Sequence, residues 1–415
     1  MDRPLRFCMI NTFYPPYSFG GDGIFVQRLS NELAKRGHKV DVIHCIDSYR
    51  LAAGHDPVTA YDDHPDVTVH GIESPFGFLS PLATQQTGYP LFKSERILEI
   101  LKTRFDVIHY FNISLFGPKI LQYGQGIKLY SLLEYWLVCP THTLFRFNRA
   151  PCTKPHCFAC SLAYKRPPQW WRYSNLLKKS LQHVDTFIAP SRFTELIHRR
   201  LNVKAPVVHL PYFVPSTPSI QPIHKPREKP YFLFVGRLEK LKGLQTLIPV
   251  FHRYQKAQLL VAGTGDDEPG LKKLAGDNDC IRFLGYVSGA RLQDLYRHAV
   301  AVIVPSICWD VYPLVPLEAV SSGTPVIVRN LGGMPEVVED SGAGFIYNTD
   351  EDLVSAMDAL LDNSVYRNKL GQRGYEAYRK NWSIEVHLQR YFNLIHEIAA
   401  LHKLPLALKL STSGV

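Results

Sequence analysis

No stretch of this 415-residue chain reaches the roughly 18 to 20 consecutive apolar residues that a membrane-spanning helix requires, which excludes a helical membrane protein. A secretory leader is not visible either: Met1-Asp2-Arg3-Pro4 leads straight into the apolar run Leu5-Arg6-Phe7-Cys8-Met9-Ile10, and the expectation is a cytoplasmic protein. In that compartment Asn112-Ile113-Ser114 and Asn381-Trp382-Ser383 are not expected to carry glycans. Internal repeats are absent beyond a shared α/β rhythm. A dinucleotide fingerprint is absent too. Gly263-Thr264-Gly265-Asp266-Asp267-Glu268 lacks the third glycine and falls in the wrong half, so it reads as a turn. Outside one cluster cysteine is sparse, and Cys8, Cys45, Cys280 and Cys308 are read as packing residues.

What is present suits two α/β domains. The length exceeds one ordinary core, and 46% hydrophobic residues, with 12% aromatic, allow each half to bury its own. Apolar runs of strand length alternate with longer periodic stretches, the pattern of parallel sheets. In the first half the strands are expected at 5–10, 40–45, 107–110, 127–132 and 186–189, with a helix from about Phe25 to Arg36 stopped by Gly37. Five prolines between Val214 and Pro230 mark a linker. Strands follow at 231–235, 258–262, 281–284, 300–304, 325–328 and 345–347, and an amphipathic helix closes the chain from Ser383 to Leu401. The expected division is 1–213, linker 214–230, 231–382 and a terminal helix over 383–403, with a frayed tail after Lys403.

Two segments of the second half carry the chemistry. Gly236-Arg237-Leu238-Glu239-Lys240-Leu241-Lys242-Gly243 follows the buried strand 231–235. Arg237 and Lys242 thus stand at a strand's carboxyl end, where open α/β sheets bind ligands, and a planar fork beside a point charge suits a diphosphate. Asp310-Val311-Tyr312-Pro313-Leu314-Val315-Pro316-Leu317-Glu318 sets two carboxylates eight residues apart, on a loop and in the next helix. Taken singly, such charges are usually solvated. In this order, followed by Gly332-Gly333-Met334-Pro335-Glu336, they resemble the G-R-L-x-x-x-K-G clamp and the E-x7-E pair of family-four glycosyltransferases of the GT-B fold, with Asp310 in place of the first Glu.

That resemblance implies two Rossmann-like domains facing across a cleft, and a retaining transfer of sugar from a nucleoside diphosphate donor to an acceptor hydroxyl. It implies diphosphate binding by Arg237 and Lys242, ribose binding by Glu318, sugar contacts from Asp310, and backbone contacts from Tyr312, Pro313, Leu314 and Val315. Asp310 is one methylene shorter than Glu, and Pro313 removes an amide donor. The nucleobase is expected at Tyr286 and Val287. It also implies no metal for catalysis, no nucleic acid, and a glycan or lipid-linked acceptor. The net charge of +10 suits such anionic partners, including peripheral contact with an anionic membrane. Rival readings are a nucleotide-sugar epimerase of the same fold and a non-catalytic binding protein.

In the first half, Gly20 and Gly21 read from composition as turn glycines, whereas the resemblance implies that their backbone amides approach the diphosphate at a helix start. His109 and Asn112 end a strand facing the expected cleft. Leu133 occupies the position where the family usually has a sugar-side His, beside Glu134. Cys139, Cys152, Cys157 and Cys160 lie in the pattern C-x12-C-x4-C-x2-C within a turn-prone insertion over 139–173. The alternatives are a structural zinc site, with His142 or His156 as substitutes, an iron–sulfur cluster, and free thiols.

Overall fold

The computed structural model describes residues 3–57, 61–201, 203, 206–215 and 229–403. Of the linker expected at 214–230, residues 216–228 lie outside the described residues, as does the tail after Lys403.

Among the described residues, fifteen strands form two parallel sheets and one small hairpin. The first sheet uses β1 Arg6–Ile10, β2 Lys39–Cys45, β3 Val67–Ile72, β4 Val107–Tyr110 and β5 Ile127–Ser131. Two further strands complete it, β8 Thr186–Ala189 and β9 Val207–His209. The hairpin pairs β6 Phe145–Arg146 with β7 Ala150–Pro151. The second sheet contains β10 Tyr231–Val235, β11 Gln258–Ala262, β12 Ile281–Gly285, β13 Ala301–Val304, β14 Val326–Arg329 and β15 Gly344–Tyr347. Their orders are β3-β2-β1-β4-β5-β8-β9 and β12-β11-β10-β13-β14-β15. Both sheets therefore reverse direction beside their first strand, between β1 and β4 and between β10 and β13. A crevice opens outside the carboxyl ends of the strands at such a switch point.

Burial explains why the strands are continuous apolar runs. Phe232, Leu233, Leu259, Leu260 and Val261 are all fully buried, because helices cover both faces of a parallel sheet. Helix Gly21–Lys35 starts four residues before the expected Phe25, its first turn carrying Asp22 where the helix dipole favours an anion. The last helix, Ile384–Leu401, packs on the first domain. Tyr391 stacks near Phe7 with ring centroids 6.3 Å apart, and His387 Nδ1 donates to the Pro211 carbonyl at 2.8 Å. One hydrophobic cluster thereby joins β1, β4 and the terminal helix to the inner face of the second sheet. Among the described residues no helix is long and apolar enough to cross a membrane.

Candidate active site

The clamp loop leaves β10 and is pressed against the end of β13. Gly243 has φ +77°, and a Cβ there would lie 2.0 Å from the Pro305 carbonyl oxygen, so only glycine permits this approach. The approach aims Lys242 at the next loop. Its Nζ donates to both oxygens of Asp310, at 2.9 and 3.3 Å. Burial pushes the Lys242 ammonium down, but the charges of Asp310 and Cys308 and the direct hydrogen bond outweigh it, so its pKa ends above the ordinary lysine value. Arg237 stands nearby with its side chain 58% exposed, its guanidinium 3.1 Å from Glu239 Oε1. The Asp310 loop is braced from behind by Gly332, whose Cβ would meet the Asp310 backbone at 2.7 Å, and by the Gly333 amide donating to the Asp310 carbonyl at 2.9 Å.

Helix Leu314–Ser321 opens with Pro313 as its extended N-cap, so the amides of Leu314 and Val315 belong to the unpaired first turn that favours anions. Tyr312 is buried behind them. One turn on, Glu318 accepts from the Tyr296 hydroxyl at 3.0 Å and lies 3.5 Å from the Arg28 guanidinium of the first domain. Beyond β12, Tyr286 is 71% exposed while Val287 is buried in the shared core.

The first domain's loop faces this helix directly. A Cβ on Gly21 would touch the Leu314 side chain at 3.5 Å, while Gly20 caps helix Gly21–Lys35 in an extended conformation. Asp22 follows them, accepting from Asn112 Nδ2 at 3.4 Å. Burial raises the Asp22 pKa, and Glu134 adds to the rise; the Gly23 amide, Asn112 and Arg237 oppose it. Asp22, Asn112, Glu134 and Arg237 thus share one electrostatic neighbourhood. Sequence reasoning passed over Asp22, although an acid directly after a Gly-Gly pair was the available signal. Glu134 pairs with His142 through one carboxylate oxygen, and the other is buried without a partner.

Two expected acceptor-side residues are placed elsewhere. His109 does not face the cleft: its ring is buried, with Nδ1 2.9 Å from the Tyr391 hydroxyl and Nε2 2.8 Å from Ser131 Oγ. Burial holds its pKa well below the usual histidine value, with the nearby His387 adding to the effect. Leu133 packs on the shared core and lines a small cavity with His109, Tyr212 and Tyr391. Its apolar side chain follows the core, leaving Glu134 as the polar group of that segment.

The halves are also joined away from these groups. Glu336, on helix Met334–Ser341 of the second domain, accepts from the amides of Arg192 and Phe193 at 2.8 and 2.7 Å. Those amides begin helix Arg192–Arg200 of the first domain, and Ser191 Oγ takes the third, from Thr194, at 3.1 Å. Ser191 also donates to the Val311 carbonyl at 2.6 Å, beside Asp310. Cys139, Cys152, Cys157 and Cys160 all lie in the insertion as free thiols. Among the described residues, no group of three or more His, Cys, Asp or Glu side chains is set to hold a metal ion.

Comparison with known proteins agrees with this geometry. Residues 19–216 match the family model described as Glycosyltransferase Family 4, and residues 216–377 match Glycosyl transferases group 1. An uncharacterized glycosyltransferase of Methanocaldococcus jannaschii is 25% identical over 90% of this chain and 94% of its own length. A sucrose-phosphate synthase structure from Thermosynechococcus elongatus superposes with a TM-score of 0.75 at 20% identity, covering 96% of this chain and all of that one. An Anabaena protein crystallised with UDP-glucose superposes with a TM-score of 0.65 at 15% identity, covering 95% and 100%. With a family-four model on its first half and a group-1 model on its second, the chain is of glycosyltransferase type and GT-B fold.

Proposed function

We propose that the chain is a retaining glycosyltransferase that moves a sugar from a nucleoside diphosphate donor to a hydroxyl of a glycan or lipid-linked acceptor. The observation that carries this reading is the apposition of Lys242 and Asp310 at the switch point of the second sheet, opposite the Gly20–Gly21 loop. A diphosphate entering there replaces Asp310 as the partner of Lys242 and recruits the exposed Arg237, while the first amides of helix Leu314–Ser321 add their dipoles. Both cations then stabilise the charge that develops on the leaving diphosphate as the glycosidic bond breaks. Asp310, released from Lys242, is free to accept from donor-sugar hydroxyls, and Glu318 from those of the ribose. The acceptor's proton passes to the leaving phosphate on the same face, so the anomeric configuration is kept and no protein nucleophile is named. Asp22, Asn112 and Glu134 supply the polar wall on the acceptor side.

The Anabaena structure holding UDP-glucose supports a nucleotide sugar as donor. The test is calorimetric titration with a panel of nucleoside diphosphate sugars, followed by assay of the bound ones for transfer and by NMR of the product anomer. Binding of at least one donor with retention is expected. Binding of none, or inversion in the product, would sink this reading.

A further inference from the structure

Large apolar side chains are exposed at several places on the molecule, but they gather in one. Of the twenty-five exposed among the described residues, eleven fall in two segments of the first domain, seven within residues 76–92 and four within residues 158–173. Phe78 is 63% exposed, Trp170 57% and Tyr173 68%. Single exposed apolar residues are ordinary, whereas a concentration of this kind marks a surface that something covers. The two segments adjoin. Trp171 is buried between them, its Nε1 donating to the Gln85 carbonyl of helix Leu79–Thr87 at 3.0 Å. Gly88, with φ +75°, ends that helix where a Cβ would lie 2.8 Å from the Trp171 ring. Phe76 and Phe92 pack together with ring centroids 4.3 Å apart, and Trp170 approaches both Phe158 and Tyr173, at 6.1 and 6.3 Å.

The same segments carry charge of a single sign. Neither the residues between Glu73 and Glu95 nor those from Tyr135 to Val184 include an Asp or Glu. Lys154, Lys165, Arg166, Lys178 and Lys179 are exposed, with no acid of their own segment to pair with. Lys119 adds its ammonium over the Tyr89 ring at 5.7 Å. At the borders Glu73 and Glu99 are paired with Arg50 and Arg96, and Glu95 is the acid that remains. Lysine is depleted from protein–protein interfaces, whereas lipid phosphates attract it. Tyrosine and tryptophan, apolar in body and polar at the tip, suit the boundary between headgroups and acyl chains. The strands β1 to β5 all run parallel, so the segment after β3, the insertion after β5 and the Gly20–Gly21 loop after β1 leave the sheet at one edge. The apolar segments thus belong to the same edge of the first domain as the cleft.

We propose that this face docks on the surface of an anionic phospholipid bilayer. The aromatic and aliphatic side chains enter the headgroup boundary, and the lysines and arginines around them meet lipid phosphates. The association is peripheral and reversible, carried by apolar area and by charge together. The net charge of +10 on the whole chain steers it the same way. Docked like this, the chain holds the acceptor side of its cleft beside the bilayer, within reach of a lipid-linked acceptor. That last consequence, unlike the docking itself, rests on the proposed transfer reaction.

The test is sedimentation of the full chain with vesicles in the absence of any sugar donor, so that it stands or falls apart from the transfer reaction. Vesicles of equal parts phosphatidylcholine and phosphatidylglycerol should bind the chain and vesicles of phosphatidylcholine alone far less, with the difference shrinking as salt is raised. Trp170 is the most exposed of the five tryptophans, and its emission should shift to the blue on the mixed vesicles. Phe78→Asp and Trp170→Asp alter exposed side chains, and each should weaken binding by about tenfold or more at unchanged melting temperature. Lys178→Glu combined with Lys179→Glu should remove much of the salt-sensitive part. No binding to either vesicle, equal binding to both, or binding untouched by the two aspartate variants would overturn the proposal. Self-association that those variants abolish, without vesicle binding, would assign the face to a second copy of the chain and overturn it equally.

Discussion

Lys242→Ala removes a charge that pairs with Asp310 in the structure and with the diphosphate in the proposed reaction, and the two losses can be separated. In the proposed reaction the ammonium stabilises the departing diphosphate, and by analogy with loss of one oxyanion-hole donor its removal should cost about 2.7 to 4 kcal/mol, or roughly 10² to 10³ in turnover. In the free protein it neutralises Asp310 at 2.9 Å, a carboxylate only 15% exposed, and stranding that group costs stability of about 1 to 3 kcal/mol. Lys242→Ala should therefore lose both activity and melting temperature. Adding Asp310→Asn removes the stranded charge, so the double variant should regain stability while turnover stays low. The assay is product formation at saturating donor, run beside thermal unfolding of wild type, Lys242→Ala and the double variant. Recovery of turnover together with stability in the double variant would refute the leaving-group role, because the defect would then lie in the unpaired carboxylate. The sign of the pH dependence agrees. A raised lysine pKa means the charge, and the stability it brings, are fully present below the unfolded value near 10.5 and are lost only as pH climbs through the still higher folded value. Below pH 10, no alkaline fall in turnover should trace to Lys242.

Three further outcomes follow from the same site and its surroundings. Arg237→Ala should cut turnover by a similar factor without lowering the melting temperature, since among the described residues its one ion pair is an exposed one with Glu239, worth about 0 to 1 kcal/mol; a parallel loss of stability would contradict this. Glu318→Gln should weaken donor binding by roughly 1.5 to 3 kcal/mol, the worth of hydrogen bonds to a charged acceptor, and an unchanged calorimetric affinity would remove it from the ribose. Burial lowers His44, His198 and His387 to about 4, so all three are neutral in the folded chain at values where the unfolded chain is protonated. Their stability is complete above the unfolded value near 6.5 and is lost as pH falls toward 4, by up to about 1.4 kcal/mol per pH unit for each. Urea midpoints that stay flat from pH 6.5 to 4.5 would show that these rings are not shielded.

Much of the framework was readable because parallel strands buried on both faces are unbroken apolar runs. Tyr231–Val235, Gln258–Ala262, Val107–Tyr110 and Thr186–Ala189 coincide with expectation residue for residue. β3 escaped notice because Val67-Thr-Val-His-Gly-Ile72 lies at the sheet edge with polar and exposed positions, and β6, β7 and β9 are only two or three residues long. At the site, Arg237, Lys242, Asp310 and Glu318 were singled out because they stand in a motif series that resembles a family's, each just after a recognisable strand. Arg28 was not, since its partner is 290 positions away and nothing local marks it, and Glu336, though part of the segment Gly332 to Glu336, gave no sign of the helix start it caps 144 positions away. His109 shows the same limit from the other side. Its place at the end of β4 could be read, but the direction of its ring is settled by Tyr391, 282 residues later.

The capping of helix Arg192–Arg200 has a consequence for motion. A helix normally satisfies its first amides from its own neighbouring residues, and Ser191 does so for Thr194. The amides of Arg192 and Phe193 instead rely on a carboxylate that belongs to the opposite domain. Any separation of the two domains would carry Glu336 away and hand those two amides to water, while Thr194 would keep Ser191. Their solvent exchange is thus a built-in gauge of the open population, readable at two backbone positions in the unlabelled native chain and slowed by whatever ligand holds the cleft shut.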